Sequence, residues 1–124
     1  MKPVWVIDDD RSIRWVFEKA LTREGIPHKT FATAQEALDA LEQGEPQVLV
    51  SDIRMPGASG LELLQSVRQR VPGVPIIIMT AYSDLESAVA AFQGGPSEYL
   101  PKPFKVDDLL KKVRELLGKG RSLE

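Results

Sequence analysis

Short apolar runs alternate with amphipathic stretches five times along this chain. The first run, Pro3–Asp8 (PVWVID), predicts a buried strand that ends in acid. Over Ser12–Arg23, Ile13, Val16, Phe17, Ala20 and Leu21 recur at the spacing of one helix face, and Gly25 stops the helix. His28–Phe31 reads as a short, more polar strand at a sheet edge. Thr33 and Glu36 form a capping box, and Ala34, Ala37, Leu38 and Leu41 follow on one face. Gly44 and Pro46 punctuate the chain before Gln47–Asp52 (QVLVSD), another strand ending in acid. A loop rich in turn formers, Met55 to Gly60, leads into a helix carrying Leu61, Leu63, Leu64, Val67 and Arg68. Pro75–Thr80 (PIIIMT) is the most apolar strand and is expected centrally, covered on both faces. Ser83 and Glu86 make a second capping box ahead of Leu85, Ala88, Val89 and Phe92. Ser97–Leu100 predicts a fifth strand, and Asp107–Leu117 a closing helix with Leu109, Leu110, Val113, Leu116 and Leu117 inward.

Strands alternating with helices imply right-handed crossovers and a doubly wound parallel sheet, covered on both sides, in an α/β fold. Such sheets place ligands outside the carboxyl ends of their strands. At 124 residues the chain reads as one domain, residues 1–117, with a polar, aperiodic tail at 118–124 expected to fray or to begin a linker. Sixteen basic against eighteen acidic residues leave a net charge of −2, which provides no field to hold nucleic acid or anionic lipid. No apolar run approaches the ~20 residues that span a bilayer. The absence of cysteine removes disulfides and thiolate chemistry and fits a reducing cytoplasm. A single histidine, His28, excludes a multi-histidine metal site.

The chemistry gathers at the strand ends. The first strand delivers Asp8, Asp9 and Asp10, the third Asp52, the fourth Thr80, and the fifth is followed by Lys102 between Pro101 and Pro103. Crowded carboxylates repel one another, and a hard divalent cation such as Mg2+ relieves the repulsion. The Lys102 ammonium and the Thr80 hydroxyl can each meet a phosphoryl oxygen. A carboxylate in such company is a phosphoryl acceptor by its chemistry. Asp52, at the tip of a central strand with an open loop after it, is the choice of nucleophile; the residues alone leave Asp8 and Asp9 open. Each member also has a bland reading. Asp10 near Ser12 reads as a helix cap, Thr80 as a satisfied hydroxyl, Lys102 as a solvated lysine and His28 as structural or exposed. Trp5 and Trp15 read as packing residues, with Trp15 off the helix stripe and partly exposed. Lys102-Pro103 is a candidate cis bond. The coincidence of all the polar groups at matching strand ends favours a site.

The set Asp8-Asp9, Asp52, Thr80, Tyr99 and Lys102-Pro103 resembles the response-regulator receiver domain of two-component signalling. The stretches VIDDDRSIRWV, SDIRMPG, MTAYSDLESAV and EYLPKPF are similar to receivers of the NtrC (nitrogen regulatory protein C) family, and the likeness covers residues 3–117. The resemblance implies a five-stranded (βα)5, flavodoxin-like and CheY-like fold with strand order 2-1-3-4-5. Asp52 would accept phosphate from a phosphohistidine on a sensor histidine kinase. Asp8 and Asp9 would hold Mg2+, with Asp9 and Asp52 as side-chain ligands and the Arg54 main-chain carbonyl as another. Lys102 would contact the phosphoryl group, Thr80 would move toward it, and Tyr99 would change rotamer with it. The output in such receivers is formation of a homodimer or higher oligomer, through which an adjoining ATPase domain acts on RNA polymerase carrying an alternative sigma factor. That ATPase and any DNA-binding domain are absent from these residues. Pro96 and Ser97 stand where the family has a small residue and then often an aromatic, and Ser59 stands where Asp is common.

Phosphorylation would put about two negative charges where Asp52 carried one. The Ala-rich stretch at 84–93, followed by Gly94-Gly95-Pro96, is expected to form a marginal helix that shifts in response. One rival reading is a phosphatase of the haloacid-dehalogenase type, with Asp8 as nucleophile and Asp10 as acid/base. A second rival is a receiver-like interaction module that never carries phosphate. The receiver reading makes the chain a signalling domain that catalyses only its own phosphotransfer and dephosphorylation.

Overall fold

The computed structural model describes residues 2–52, 60–81 and 98–122, with side chains left out at 60, 61, 80, 81, 98 and 118–122. In chain order the elements are β1 (Val4–Ile7), α1 (Arg11–Arg23), β2 (His28–Phe31), α2 (Ala34–Ala40), β3 (Val48–Asp52), α3 (Gly60–Arg70), β4 (Ile76–Ala81), β5 (Glu98–Lys102) and α4 (Val106–Ser122). The strands form one sheet in the order β2-β1-β3-β4-β5, every neighbouring pair parallel. This is the expected 2-1-3-4-5 arrangement.

Both faces of the sheet are covered, so alternate residues of each strand enter different cores. Val4, Val6, Val48, Val50, Ile77 and Met79 meet Phe17, Ala20 and Leu21 of α1 and Leu109, Leu110 and Val113 of α4. On the other face Trp5, Ile7, Leu49, Ile76 and Ile78 meet Ala34 and Ala37 of α2 and Leu63, Leu64 and Val67 of α3. Each fully buried large side chain stabilises the fold by about 1.5–3 kcal/mol relative to exposure. Aromatic contacts seal both layers: Trp5 edge-on against Phe31 at 5.1 Å and Phe17 tilted against Phe104 at 5.6 Å. Trp15, off the stripe, is 57% exposed, with the Lys19 ammonium over its ring.

Local chemistry sets the element ends. Asp10 caps α1 by accepting from the Ser12 N–H at 2.8 Å. The C-terminus of α1 closes in a Schellman motif: Ile26 N–H donates to Leu21 O, Gly25 N–H donates to Thr22 O, and Gly25 takes a φ of 69°. At α2 the Thr33 hydroxyl accepts from Glu36 N–H, while the Glu36 carboxylate reaches Ala32 N–H, one residue further back than the standard box. His28 donates from Nδ1 to the Ile26 carbonyl, a structural role on edge strand β2. Arg68 donates to the Val74 carbonyl at 2.8 Å and ties α3 to the approach of β4.

Two element ends and one strand position differ from expectation. β5 does not stop at Leu100 but continues through Pro101 to Lys102. Proline lacks an N–H, and β5 is an edge strand, where that loss is tolerated. β4, read as central, lies one place in from the β5 edge; β3 holds the centre, and all five of its residues are buried. The last helix runs to Ser122, five residues past the expected end at Leu117. Once a helix is nucleated each added residue costs little, and two glycines need not end it. The expected helix at 84–93, the Ser83–Glu86 box and the Pro96-Ser97 departure lie outside the described residues, as do Ser59 and most of the loop before it.

Candidate functional site

Register alone brings the acids together. Ile7 of β1 lies opposite Ser51 of β3, so the next residues along the two strands are Asp8 and Asp52. Asp52 in turn faces Met79 of β4, and Ala81 faces Lys102 of β5. The carboxyl ends of β1, β3 and β5 therefore meet at one edge although the chain separates them by up to 94 positions.

At that edge the carboxylates of Asp8, Asp9 and Asp52 lie within 4.8 Å of one another. Asp8 is wholly buried, Asp52 is 8% exposed, and Asp9 faces solvent. The Lys102 ammonium bridges two of them, donating to Asp8 Oδ2 at 2.9 Å and to Asp52 Oδ2 at 2.8 Å. The other Asp8 oxygen, Oδ1, accepts from the Asp10 N–H at 2.8 Å. Both oxygens of Asp8 are thus held, and the Asp10 carboxylate is committed to capping α1. The Lys102-Pro103 bond that follows is cis.

The electrostatics pull in two directions. Burial raises the Asp8 carboxyl above its ordinary range, and the Asp10 N–H and Lys102 only partly offset it. Burial pulls the Lys102 amine down, but its hydrogen bonds to Asp52 and Asp8 outweigh that and move it upward on balance. Tyr99, half-buried against the Trp5 side of the sheet, has its hydroxyl pushed up by burial.

This arrangement is that of a receiver. The family model for the response regulator receiver domain matches residues 4–114. The chain belongs to that family. It is 55% identical over 109 residues to the DNA-binding transcriptional regulator NtrC of Klebsiella pneumoniae, covering 88% of this chain and 23% of that protein. It is 53% identical over 115 residues to NtrC of Escherichia coli K12, covering 93% and 24%. The chain thus spans about a quarter of the length of these relatives. Among solved structures, the apo receiver domain of NtrC superposes with a TM-score of 0.86 at 51% identity, covering 95% of each chain. The BeF3-activated NtrC receiver gives 0.81 at 50% identity, covering 96% of this chain and 98% of that one. The receiver is accordingly NtrC-like, a signalling domain and not a metabolic enzyme.

The donor set suits a hard divalent cation: three carboxylates, two of them buried, and no nitrogen or sulfur ligand among them. Of the residues singled out in the sequence, the receiver brings Asp8, Asp9, Asp52 and Lys102 together. Asp10 turns away to its cap. β4 puts Thr80 opposite Pro101, but its side chain lies outside the described residues, as does Arg54. One participant escaped the sequence reading. Arg14 donates from Nη1 to the Asp8 main-chain carbonyl at 2.7 Å. Helical side chains lean toward the N-terminus, so an arginine at the fourth position of α1 reaches the turn that carries the acids.

Proposed function

We propose that Asp52 is the phosphoacceptor of this receiver, with Asp8 and Asp9 as its cation-binding acids and Lys102 as the charge that meets the phosphoryl group. One Asp52 carboxylate oxygen attacks phosphorus, the phosphorus–nitrogen bond to a phosphohistidine breaks, and the departing imidazole keeps the electron pair. Mg2+ bound by Asp8, Asp9, Asp52 and the Arg54 carbonyl would supply charge neutralisation at the transferring oxygens. Lys102 needs no large movement to help, because its ammonium already touches Asp52. The observation that carries the reading is this bridge between Asp8 and Asp52 beside exposed Asp9.

The same geometry supports Asp52 over Asp8 as nucleophile. Asp8 is wholly buried with a bond on each oxygen, and Asp10, the acid/base of the phosphatase reading, caps a helix. Incubation with acetyl phosphate and Mg2+, followed by intact-mass measurement, tests it. One phosphate is expected on wild type and none on Asp52→Asn. Label that survives Asp52→Asn would return the phosphatase reading, and failure to bind millimolar Mg2+ would return the inert module.

The donor in this proposal is a sensor histidine kinase, and the receiver acts in the cytoplasm. Thr80 and Tyr99 carry the response, the surface of 84–93 changes, and the receiver forms a homodimer or higher oligomer. Residues 1–117 form the receiver unit, and 118–124 lead toward ATPase and DNA-binding domains like those of a transcriptional regulator. No helix among the described residues is long and apolar enough to cross a membrane.

A further inference from the structure

We infer that Arg14 is a positioning residue for the cation site: its guanidinium holds the Asp8–Asp9 peptide and so aims the exposed Asp9 carboxylate. The inference rests on the cation reading of the acidic cluster.

The turn from β1 into α1 is closed by three contacts. Asp8 Oδ1 accepts from Asp10 N–H, Asp10 Oδ1 accepts from Ser12 N–H, and Asp8 O accepts from Arg14 Nη1. The first two fix Asp8 and the start of the helix. The first closes a turn around Asp9, but neither bonds its carboxylate, which is exposed and held by no side chain among the described residues. Its direction therefore depends on the backbone that bears it. The peptide unit is planar, so holding the Asp8 carbonyl also orients the Asp9 N–H and Cα. Arg14 supplies that hold with a charge-assisted bond of 2.7 Å from a part-buried guanidinium.

Two effects of Arg14 on a divalent cation oppose each other. Its positive charge, on a side chain bonded to the Asp8 carbonyl, weakens cation binding by repulsion. Its grip on the peptide strengthens binding by preorganising a ligand. Loss of partners that orient metal ligands commonly lowers affinity about 10–100-fold. The guanidinium bonds the backbone and none of the carboxylates, so positioning dominates and removal weakens binding.

The experiment titrates Mg2+ into chelator-treated protein without any phosphoryl donor, following the Asp9 and Asp10 amide resonances. Urea midpoints in EDTA serve as the control for folding. Arg14→Met is expected to bind Mg2+ about 10-fold more weakly, with its Asp9 amide already displaced before metal is added. Arg14→Lys keeps the charge but loses the planar fork, and falls between the two. Equal or tighter binding by Arg14→Met overturns the inference, since that is the result of charge alone. Should Arg14→Met fail to fold, Arg14→Lys decides: repulsion is unchanged there, so wild-type affinity overturns the positioning role. A wild type that shows no titration at millimolar Mg2+ defeats the cation reading and this inference with it. A wild type that titrates while Asp9→Asn does not leaves the cation reading standing whatever Arg14 does.

Discussion

Lys102→Met removes the one cation that spans Asp8 and Asp52 while keeping a side chain of similar length. The ammonium makes two charge-assisted hydrogen bonds, at 2.9 and 2.8 Å, to carboxylates that are wholly and mostly buried. Bonds to charged groups are worth about 1.5–3 kcal/mol each. Breaking a buried pair from one side costs about 3–5 kcal/mol, because the remaining charge stays uncompensated. Lysine is 27% exposed here, which screens part of that, and its ordering entropy is recovered. A net loss of about 3 kcal/mol follows, on the order of 10 °C in Tm for a chain of this size. The ammonium occupies Asp8 Oδ2 and Asp52 Oδ2, and a divalent cation held by these acids would compete with it. Without the ammonium, Mg2+ meets less competition, and a ligand at 100 times its Kd contributes about 2.7 kcal/mol. Urea unfolding at pH 7, read by the buried Trp5, is run in EDTA and in excess Mg2+. The expected result is a large deficit in EDTA that narrows with Mg2+. Equal midpoints in EDTA, or a deficit indifferent to Mg2+, would refute the reasoning.

Asp8→Asn should raise the urea midpoint of metal-free protein at neutral pH and abolish its response to Mg2+. Burial lifts the Asp8 carboxyl, so the charged form is disfavoured in the fold, and the amide keeps an acceptor for the Asp10 N–H; a lower midpoint would contradict this. Stability should also have an alkaline limb that Lys102→Met lacks. Despite burial, Asp52 and Asp8 hold the Lys102 amine above its ordinary 10.5, so its stabilisation is complete below that pH and is lost as pH rises through the folded value. Urea midpoints measured from pH 9 upward on both proteins check it. Gly25→Ala should cost about 1 kcal/mol through backbone conformation alone, since φ is 69° and a Cβ there meets no atom within 4 Å; an unchanged thermal midpoint would show that the Schellman turn relaxes without cost.

The strands of this receiver were legible because burial on both faces demands unbroken apolar runs, and PVWVID, QVLVSD and PIIIMT are such runs. The acid at the end of each of the first two marked where the sheet opens to solvent. Lys102 was legible by position but not by structure. The sequence places it after the fifth strand, whereas an edge strand accepts a proline and carries Lys102 at its own tip. Asp10 was legible as a cap from its spacing to Ser12. Arg14 was not, because a polar residue on a helix surface looks the same in sequence whether it meets water or a carbonyl. Only the direction of helical side chains separates the two. The end of α4 at Ser122 is not legible at Leu117, because the loss of apolar periodicity there marks the end of packing, and a helix can outrun its packed face.

The site sits in a fold that resists part of it. Burial disfavours the charged form of Asp8, and Lys102 is kept cationic by two acids despite being drawn out of water. That tension makes the edge responsive to added charge. On the proposed function, a phosphoryl group on Asp52 would replace about one negative charge with about two and bring new acceptor oxygens. The ammonium, now shared between Asp8 and Asp52, would then meet a stronger acceptor on the Asp52 side. Any ammonium contact drawn from Asp8 leaves a buried carboxylate dependent on a divalent cation. If Asp52 is the acceptor proposed above, phosphorylation and cation binding would be coupled through one residue, and by reciprocity each should tighten the other. A coupling of only about 1.4 kcal/mol is a tenfold change in population, within the reach of a single charge-assisted bond gained or lost at Lys102.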